Sequence, residues 1–222
     1  MPTSAVLFSG GLDSAVLLAR ELEGSPEGPP LEADGVRRGA QPIHVRSGLA
    51  WEDAEARTIE RLLASPPFAG RVAPVITLTV DMREVYPRSH WAVAGTPPAY
   101  DTPDEEVYLE GRNIVLISKT AVLCARLKIS RLVLGPLAGN PFPDATPEFF
   151  DAMSHALSLG LSHPLKIVAP LASMQKHEVI RLGRQLGVPL ERTLSCMNPQ
   201  SDDAPCGRCS KCRERDQAFS SS

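Results

Sequence analysis

Apolar and polar positions along this chain fall into two alternating rhythms. Short apolar runs predict buried strands at Ala5-Val6-Leu7-Phe8, Ile43-His44-Val45, Val75 to Val80, Arg131 to Leu134 and Lys166 to Ala169. Between them, apolar residues recur at helical spacing. Val16, Leu17, Ala19 and Leu22 do so from Asp13 to Leu22, and Trp51, Ala54, Thr58, Ile59, Leu62 and Leu63 share a face from Trp51 to Leu63. Arg112 to Leu127 reads as a long buried helix after Gly111. Thr146 to Leu159 reads as a helix with Thr146 as its cap and Pro147 in its first turn. Met174 to Leu186 is amphipathic and is closed by Gly187 and Pro189. Strands alternating with helices predict an α/β fold, a doubly wound parallel sheet of about five strands with helices on both faces. Ligands of such sheets bind beyond the carboxyl ends of the strands, near the point where strand order reverses. The loops after Phe8, Val45, Val80, Leu134 and Ala169 are therefore the expected seat of the chemistry.

Composition narrows the picture. The 222 residues, 43% of them hydrophobic, suit one globular core with a small appendage, and the net charge of −3 argues against a broadly basic nucleic-acid-binding surface. Prolines and glycines crowd residues 24–42, 65–74 and 95–103, which predicts surface loops. Residues 95–109, directly ahead of Gly111-Arg112, read as a mobile lid, and the Ser220-Ser221-Ser222 tail reads as frayed. No apolar run approaches the roughly 20 residues that cross a bilayer. Met1-Pro2-Thr3-Ser4 leads into the first strand without a charged leader, so the expectation is a cytoplasmic protein without membrane association.

The strongest chemical signal is the passage from strand to helix through Phe8-Ser9-Gly10-Gly11-Leu12-Asp13-Ser14. Paired glycines reach backbone angles closed to other residues and let a ligand approach the main chain. Free N–H groups at the start of the helix, with its dipole, attract phosphate oxygens. Ser9 and Ser14 add hydroxyl donors. Asp13 is the odd member beside phosphates; it either holds Mg²⁺ or caps the helix. An ordinary tight turn would account for two glycines alone. The whole segment, however, resembles the phosphate loop of the PP-loop pyrophosphatases, and it lacks the endings of Walker and dinucleotide-binding loops. The resemblance implies ATP bound by residues 8–14, cleaved between its α- and β-phosphates, with AMP transferred to a substrate oxygen.

Four of the five cysteines fall between residues 196 and 212. In Cys196, Cys206, Cys209 and Cys212, two overlapping C-x2-C steps bring three sulfurs around one point and a loop can return the fourth, while Gly207 permits the tight knuckle. Such a set suits a closed, structural Zn²⁺ site; an iron–sulfur cluster and redox thiols are the competing readings. Arg208, Lys211, Arg213 and Arg215 are close enough to offset the charge of four thiolates. Zinc would pin the tail near the active-site edge, giving an ATP-binding unit at residues 1–190 and a metal-binding segment at 191–222. Cys124, in an apolar helical stretch, reads as a core residue.

With loop and cluster placed, the chain resembles the 7-cyano-7-deazaguanine synthase family over nearly its whole length. Phe8 to Ser14, Gly111-Arg112-Asn113, Pro143-Asp144-Ala145-Thr146-Pro147-Glu148-Phe149, Pro170-Leu171 with Lys176 and Glu178, and Thr193-Leu194-Ser195-Cys196 with the later cysteines and Arg215 carry the resemblance in order. It departs from the family at Val45-Arg46-Ser47-Gly48 and at Ala138-Gly139-Asn140-Pro141-Phe142, both after strands where substrate should sit. The resemblance implies an ATP-dependent carbon–nitrogen ligase of queuosine precursor biosynthesis, which turns a ring carboxylate into an amide and then a nitrile. Its partners would be a deazapurine acid and ammonia, its cofactors ATP, Mg²⁺ and Zn²⁺, and a homodimer is compatible with it.

Candidate catalytic residues are Ser9, Asp13, Ser14, Arg112 and Lys176; Arg112, Asn113 and Asp144 are candidate substrate contacts. Each has a plainer reading. A cation at a helix start such as Arg112 opposes the dipole, Asn113 could simply open the helix, Lys176 could be solvated, and Asp144 could start the next helix. Glu52, Asp53 and Glu55 read as first-turn negative charge on their helix. Three other functions stay open: a divergent enzyme adenylating another purine-like acid, an RNA-thiolating transferase, which wants a reactive cysteine outside the metal set, and a non-catalytic nucleotide-binding module.

Overall fold

The computed structural model describes residues 2–23 and 39–222. Strands β1 (Ser4–Leu7), β2 (Ala40–Arg46), β3 (Ile76–Thr79), β4 (Arg131–Val133) and β5 (Lys166–Val168) pair in parallel as one sheet, in the order β3-β2-β1-β4-β5. Helices α1 (Leu12–Glu23), α2 (Glu52–Leu63), the short α3 (Trp91–Ala94), α4 (Arg112–Leu127), α5 (Pro147–Leu161), α6 (Lys176–Gln185) and α7 (Ser210–Ser220) complete the described residues, with three one-turn 3₁₀ segments. Strand order reverses between β1 and β4, as the doubly wound reading requires.

Strand pleat distributes the core. Val6 and Val133 point to a face where they pack with Leu17 and Leu18 of α1, Leu62 of α2 and Ile180 of α6. Their neighbours Ala5 and Leu132 point the other way, toward Ile117 and Cys124 of α4 and Phe150 of α5. The close approach of α6 to α1 needs Gly183: a Cβ there would lie 2.7 Å from Val16 Cγ2 and 2.8 Å from Leu190 Cδ2. A third cluster caps the carboxyl edge of the sheet, joining Trp51, Met82, Tyr86 and Leu109 to Leu194, Met197 and the cysteines.

Three expectations are corrected. Residues 40–42, expected in a surface loop, begin β2, so the strand runs through Pro42. Ile43 O accepts from Phe8 N at 2.8 Å, so Pro42, one residue earlier, faces the β3 side, where pairing starts only at Ile43↔Ile76. The missing N–H of Pro42 therefore breaks no ladder bond. Residues 24–38 of that expected loop lie outside the described residues. Helix α4 is buried on one side only, with Ile114 45% and Val122 49% exposed. The tail ends in helix α7, which reaches Ser220, so the terminal serines do not simply fray. No helix among the described residues is long and apolar enough to cross a membrane.

Candidate active site

The carboxyl ends of β1, β2 and β4 open into a cavity of about 440 Å³ at the reversal of strand order. Segments after Phe8, Val45 and Leu134 reach it, and Lys176 reaches it after β5. The loop after Val80 does not line it: β3 is the sheet edge, and Val80 and Met82 pack into the third cluster instead.

The glycine loop at residues 8–14 joins β1 to α1. Gly10 takes φ 74, and its carbonyl accepts from Leu194 N at 3.0 Å. A Cβ at Gly10 would meet Ile59 Cγ1 and Thr58 Cγ2 at 3.2 Å, so this glycine serves the approach to α2. It does not line the cavity, whereas Phe8, Ser9, Gly11, Leu12, Asp13 and Ser14 all do. Ser14 Oγ donates to Gly11 O at 2.9 Å, and Gly11 N donates to Ser9 Oγ at 3.3 Å. First-turn amides of a helix have no intrahelical acceptor, so the start of α1 presents donors to the cavity.

A line of alternating charges runs from this loop to the tail. Lys176 Nζ lies 2.6 Å from Asp13 Oδ2 and 3.1 Å from Glu214 Oε1; Lys211 Nζ lies 2.8 Å from Glu214 Oε2 and 3.5 Å from Asp104 Oδ1. Burial works against the charge of Lys176, but Asp13 and Glu214 outweigh it and raise its pKa. Burial would likewise raise Glu214, yet Lys176 and Lys211 bring it down to about 2. Asp13 is thus first of all an ion-pair partner, and Lys176 is not a free surface lysine. Asp13 Oδ1 remains buried without a hydrogen-bond partner, an acceptor suited to Mg²⁺.

Helix α4 starts at Arg112 after Gly111, whose φ is 74 and which offers no capping side chain. The cap comes from across the cavity. Asp144, 4% exposed, accepts from Asn113 N at 3.0 Å and from Asn113 Nδ2 at 3.1 Å. Burial raises the Asp144 carboxyl, and these two donors partly offset that. Asp144 and Asn113 therefore lock the α4 start in place, and both also line the cavity. Arg112 enters the same cavity with its Nε buried and unpartnered.

The four tail cysteines converge, their sulfurs all within 4.8 Å of one another. Cys209 and Cys212 are 3.5 Å apart, and Cys206–Cys212 and Cys196–Cys209 are 4.0 Å apart. A tetrahedral ion with sulfurs at about 2.3 Å requires separations of about 3.8 Å, so the set fits Zn²⁺ and no pair is a disulfide. Asn198 N and Cys206 N each donate to Cys196 Sγ at 3.3 Å, as they would to a thiolate ligand. The nearby cations mostly point elsewhere than expected. Arg213 donates to Thr102 O at 3.0 Å, and Arg215 donates to Leu190 O at 2.6 Å and Thr193 Oγ1 at 2.8 Å. The segment expected as a lid is tied down by the same tail, through Ala99 bridging Cys209, Thr102 bonded to Arg213 and Asp104 paired with Lys211.

Several residues to which the sequence gives no catalytic part also lie in or beside the site. Glu52, 2% exposed, accepts from the backbone N–H groups of Ser47 and Gly48, which closes the turn after β2. Glu55 and His44 line the cavity. Burial pushes Glu55 up to about 7 and His44 down to about 4, with Arg112 acting on both. Trp51 and Trp91 stack at 5.8 Å and also face the cavity. One signal was available: three acidic residues in the first turn of a helix that follows a sheet strand lie at the ligand edge. Cys124 is fully buried and its thiol is pushed up to about 12, as a core cysteine should be.

The family model described as queuosine biosynthesis protein QueC matches residues 87–222. Over 99% of its length the chain is 34% identical to the 7-cyano-7-deazaguanine synthase of Methanopyrus kandleri, covering 94% of that protein. It is 28% identical to the synthase of the same name from Nostoc punctiforme, with 97% of this chain and 94% of that protein covered. The 7-cyano-7-deazaguanine synthase of Thermoplasma volcanium is 29% identical, with 99% and 87% covered.

Proposed function

Because the chain belongs to the QueC family of 7-cyano-7-deazaguanine synthases, we propose that it converts 7-carboxy-7-deazaguanine to the 7-cyano compound using ATP and ammonia. A substrate carboxylate oxygen attacks the α-phosphorus of ATP, and pyrophosphate leaves. Ammonia then adds to the acyl carbon of the adenylate and expels AMP, giving the amide. In the second round the amide oxygen attacks the α-phosphorus, and loss of AMP and two protons from the imidate leaves the nitrile. The observation that carries this reading is the phosphate loop with Lys176 on its open side and Arg112 in the same cavity.

Each residue has a task in that scheme. The α1 amides with Ser9 and Ser14 hold phosphate oxygens. Lys176, poised on Asp13, moves onto the pyrophosphate as negative charge develops there. Arg112 neutralises charge where the carboxylate and α-phosphate meet. Asn113 and Asp144 keep that guanidinium in register from the α4 start. Asp13 Oδ1 would hold Mg²⁺, which supplies charge neutralisation between phosphates. Zn²⁺ on Cys196, Cys206, Cys209 and Cys212 would be structural, fixing the segment 191–222 against the unit 1–190 so that Leu194 bonds Gly10 and Glu214 meets Lys176. RNA thiolation is disfavoured, because the one cysteine outside the metal set is sealed in the core.

The test is direct. Purified protein is incubated with ATP, Mg²⁺, ammonium and 7-carboxy-7-deazaguanine, and products are read by mass spectrometry. AMP with the nitrile is expected. Absence of AMP with this acid refutes the reading.

A further inference from the structure

The β2–α2 side of the cavity carries two hydrogen-bond acceptors that the adenylation steps leave without a task. His44, 3% exposed, has Nδ1 3.3 Å from the Phe8 carbonyl. A carbonyl only accepts, so the proton sits on Nδ1 and Nε2 offers a lone pair. That Nε2 is buried and unpartnered. Glu55, from the first turn of α2, lines the same cavity, where Arg112 and the Trp51 side chain favour its charged form against burial. Beside it the stacked indoles of Trp51 and Trp91, inclined by only 16°, add a flat apolar surface.

Two acceptors beside an aromatic wall complement a planar ring that presents N–H donors. Once ionised, above about pH 7, Glu55 would repel a phosphate or carboxylate. An adenine ring offers a single exocyclic amine, whereas an aminopyrimidinone edge offers a ring N–H and an exocyclic amine side by side, matching a carboxylate in the manner of a bidentate pair. We propose that Glu55 and His44 form the specificity end of the acid's site, reading the ring N–H and exocyclic amine of its aminopyrimidinone edge. This inference rests on the deazapurine-acid reading of the cavity. It assigns specificity to residues outside the segments that carry the family resemblance, on the wall next to the turn where the chain departs from the family.

Calorimetric titration at about pH 8, where Glu55 is ionised, with 7-carboxy-7-deazaguanine and with its analogue lacking the exocyclic amine, tests it in wild type, Glu55→Gln and His44→Phe. Wild type should bind the analogue about 30-fold more weakly than the acid, the size of a lost charge-assisted hydrogen bond. Glu55→Gln should bind the acid about 30-fold more weakly than wild type and treat acid and analogue alike, with its KM for ATP within about twofold of wild type. His44→Phe should weaken acid binding by about tenfold and spare ATP. Circular dichroism melts confirm folding of each variant. Equal wild-type affinity for acid and analogue, unchanged acid binding in Glu55→Gln, or a loss confined to ATP each overturns the proposal. If wild type binds the acid with the expected discrimination but makes no AMP, the catalytic reading fails and the recognition site stands. Turnover with unshifted acid affinity in Glu55→Gln sinks the recognition site alone.

Discussion

Replacing Lys176 by methionine removes the cation shared by Asp13 and Glu214 while keeping the apolar stem of the side chain. The two carboxylates, each 27% exposed, would then face one another without a counterion. Burial by itself would raise Glu214, but Lys176 and Lys211 hold it at about 2 against an ordinary 4.5. A depression of that size corresponds to about 3 kcal/mol at neutral pH, part of it supplied by Lys211. Adding the stranded Asp13, the loss of Lys176 should destabilise the fold by about 2–4 kcal/mol. For a domain of this size that lowers the melting temperature by about 5–10 °C near pH 7. The folded pKa of Glu214 lies below its unfolded value, so its stabilisation is complete above pH 4.5 and disappears as pH falls toward 2. The deficit of Lys176→Met should therefore shrink over that window. Thermal unfolding followed by circular dichroism at neutral and acid pH is the assay. A variant melting within about 1 °C of wild type near neutral pH, or a deficit that stays constant on acidification, refutes the reasoning.

Cys212→Ser should cut bound zinc from one equivalent per chain to none by elemental analysis, and limited proteolysis should then cleave within residues 196–222 before the sheet is touched. Glu55→Gln should melt with wild type near pH 4.5 and above it beyond pH 7. The folded pKa of Glu55, about 7, exceeds the ordinary 4.5, so the stability associated with it is lost as pH rises through that value in wild type alone. Asp144→Ala removes the cap on α4 and should lower stability by about 1–2 kcal/mol in urea titrations, and raise KM for the acid more than for ATP.

Local patterns made most of the fold legible. Helix α4 runs from Arg112 to Leu127 as read, because Gly111 ahead of it and its apolar spacing are near-neighbour signals. The strand-to-helix loop at residues 8–14 and the convergence of the four cysteines were legible for the same reason, since each is written in one short segment. Pro42 misled, because whether a proline suits a strand depends on where the neighbouring strand begins, which no local window contains. The Asp13–Lys176–Glu214 line joins residues 163 and 38 positions apart in sequence, and only the packing of α6 on α1 and of α7 on α6 brings them together. Glu55 was read as helix-start charge because burial, which changes its meaning, comes from the third cluster folding over the sheet edge.

The central claim is that the loop at residues 9–14 presents the α-phosphorus of ATP to a substrate carboxylate. Supplying the acid with both carboxyl oxygens as ¹⁸O and weighing the nucleotide products tests it most directly. One labelled oxygen in AMP, with unlabelled pyrophosphate, is the predicted result. ADP with the label in orthophosphate would contradict the account, since attack would then fall on the γ-phosphorus.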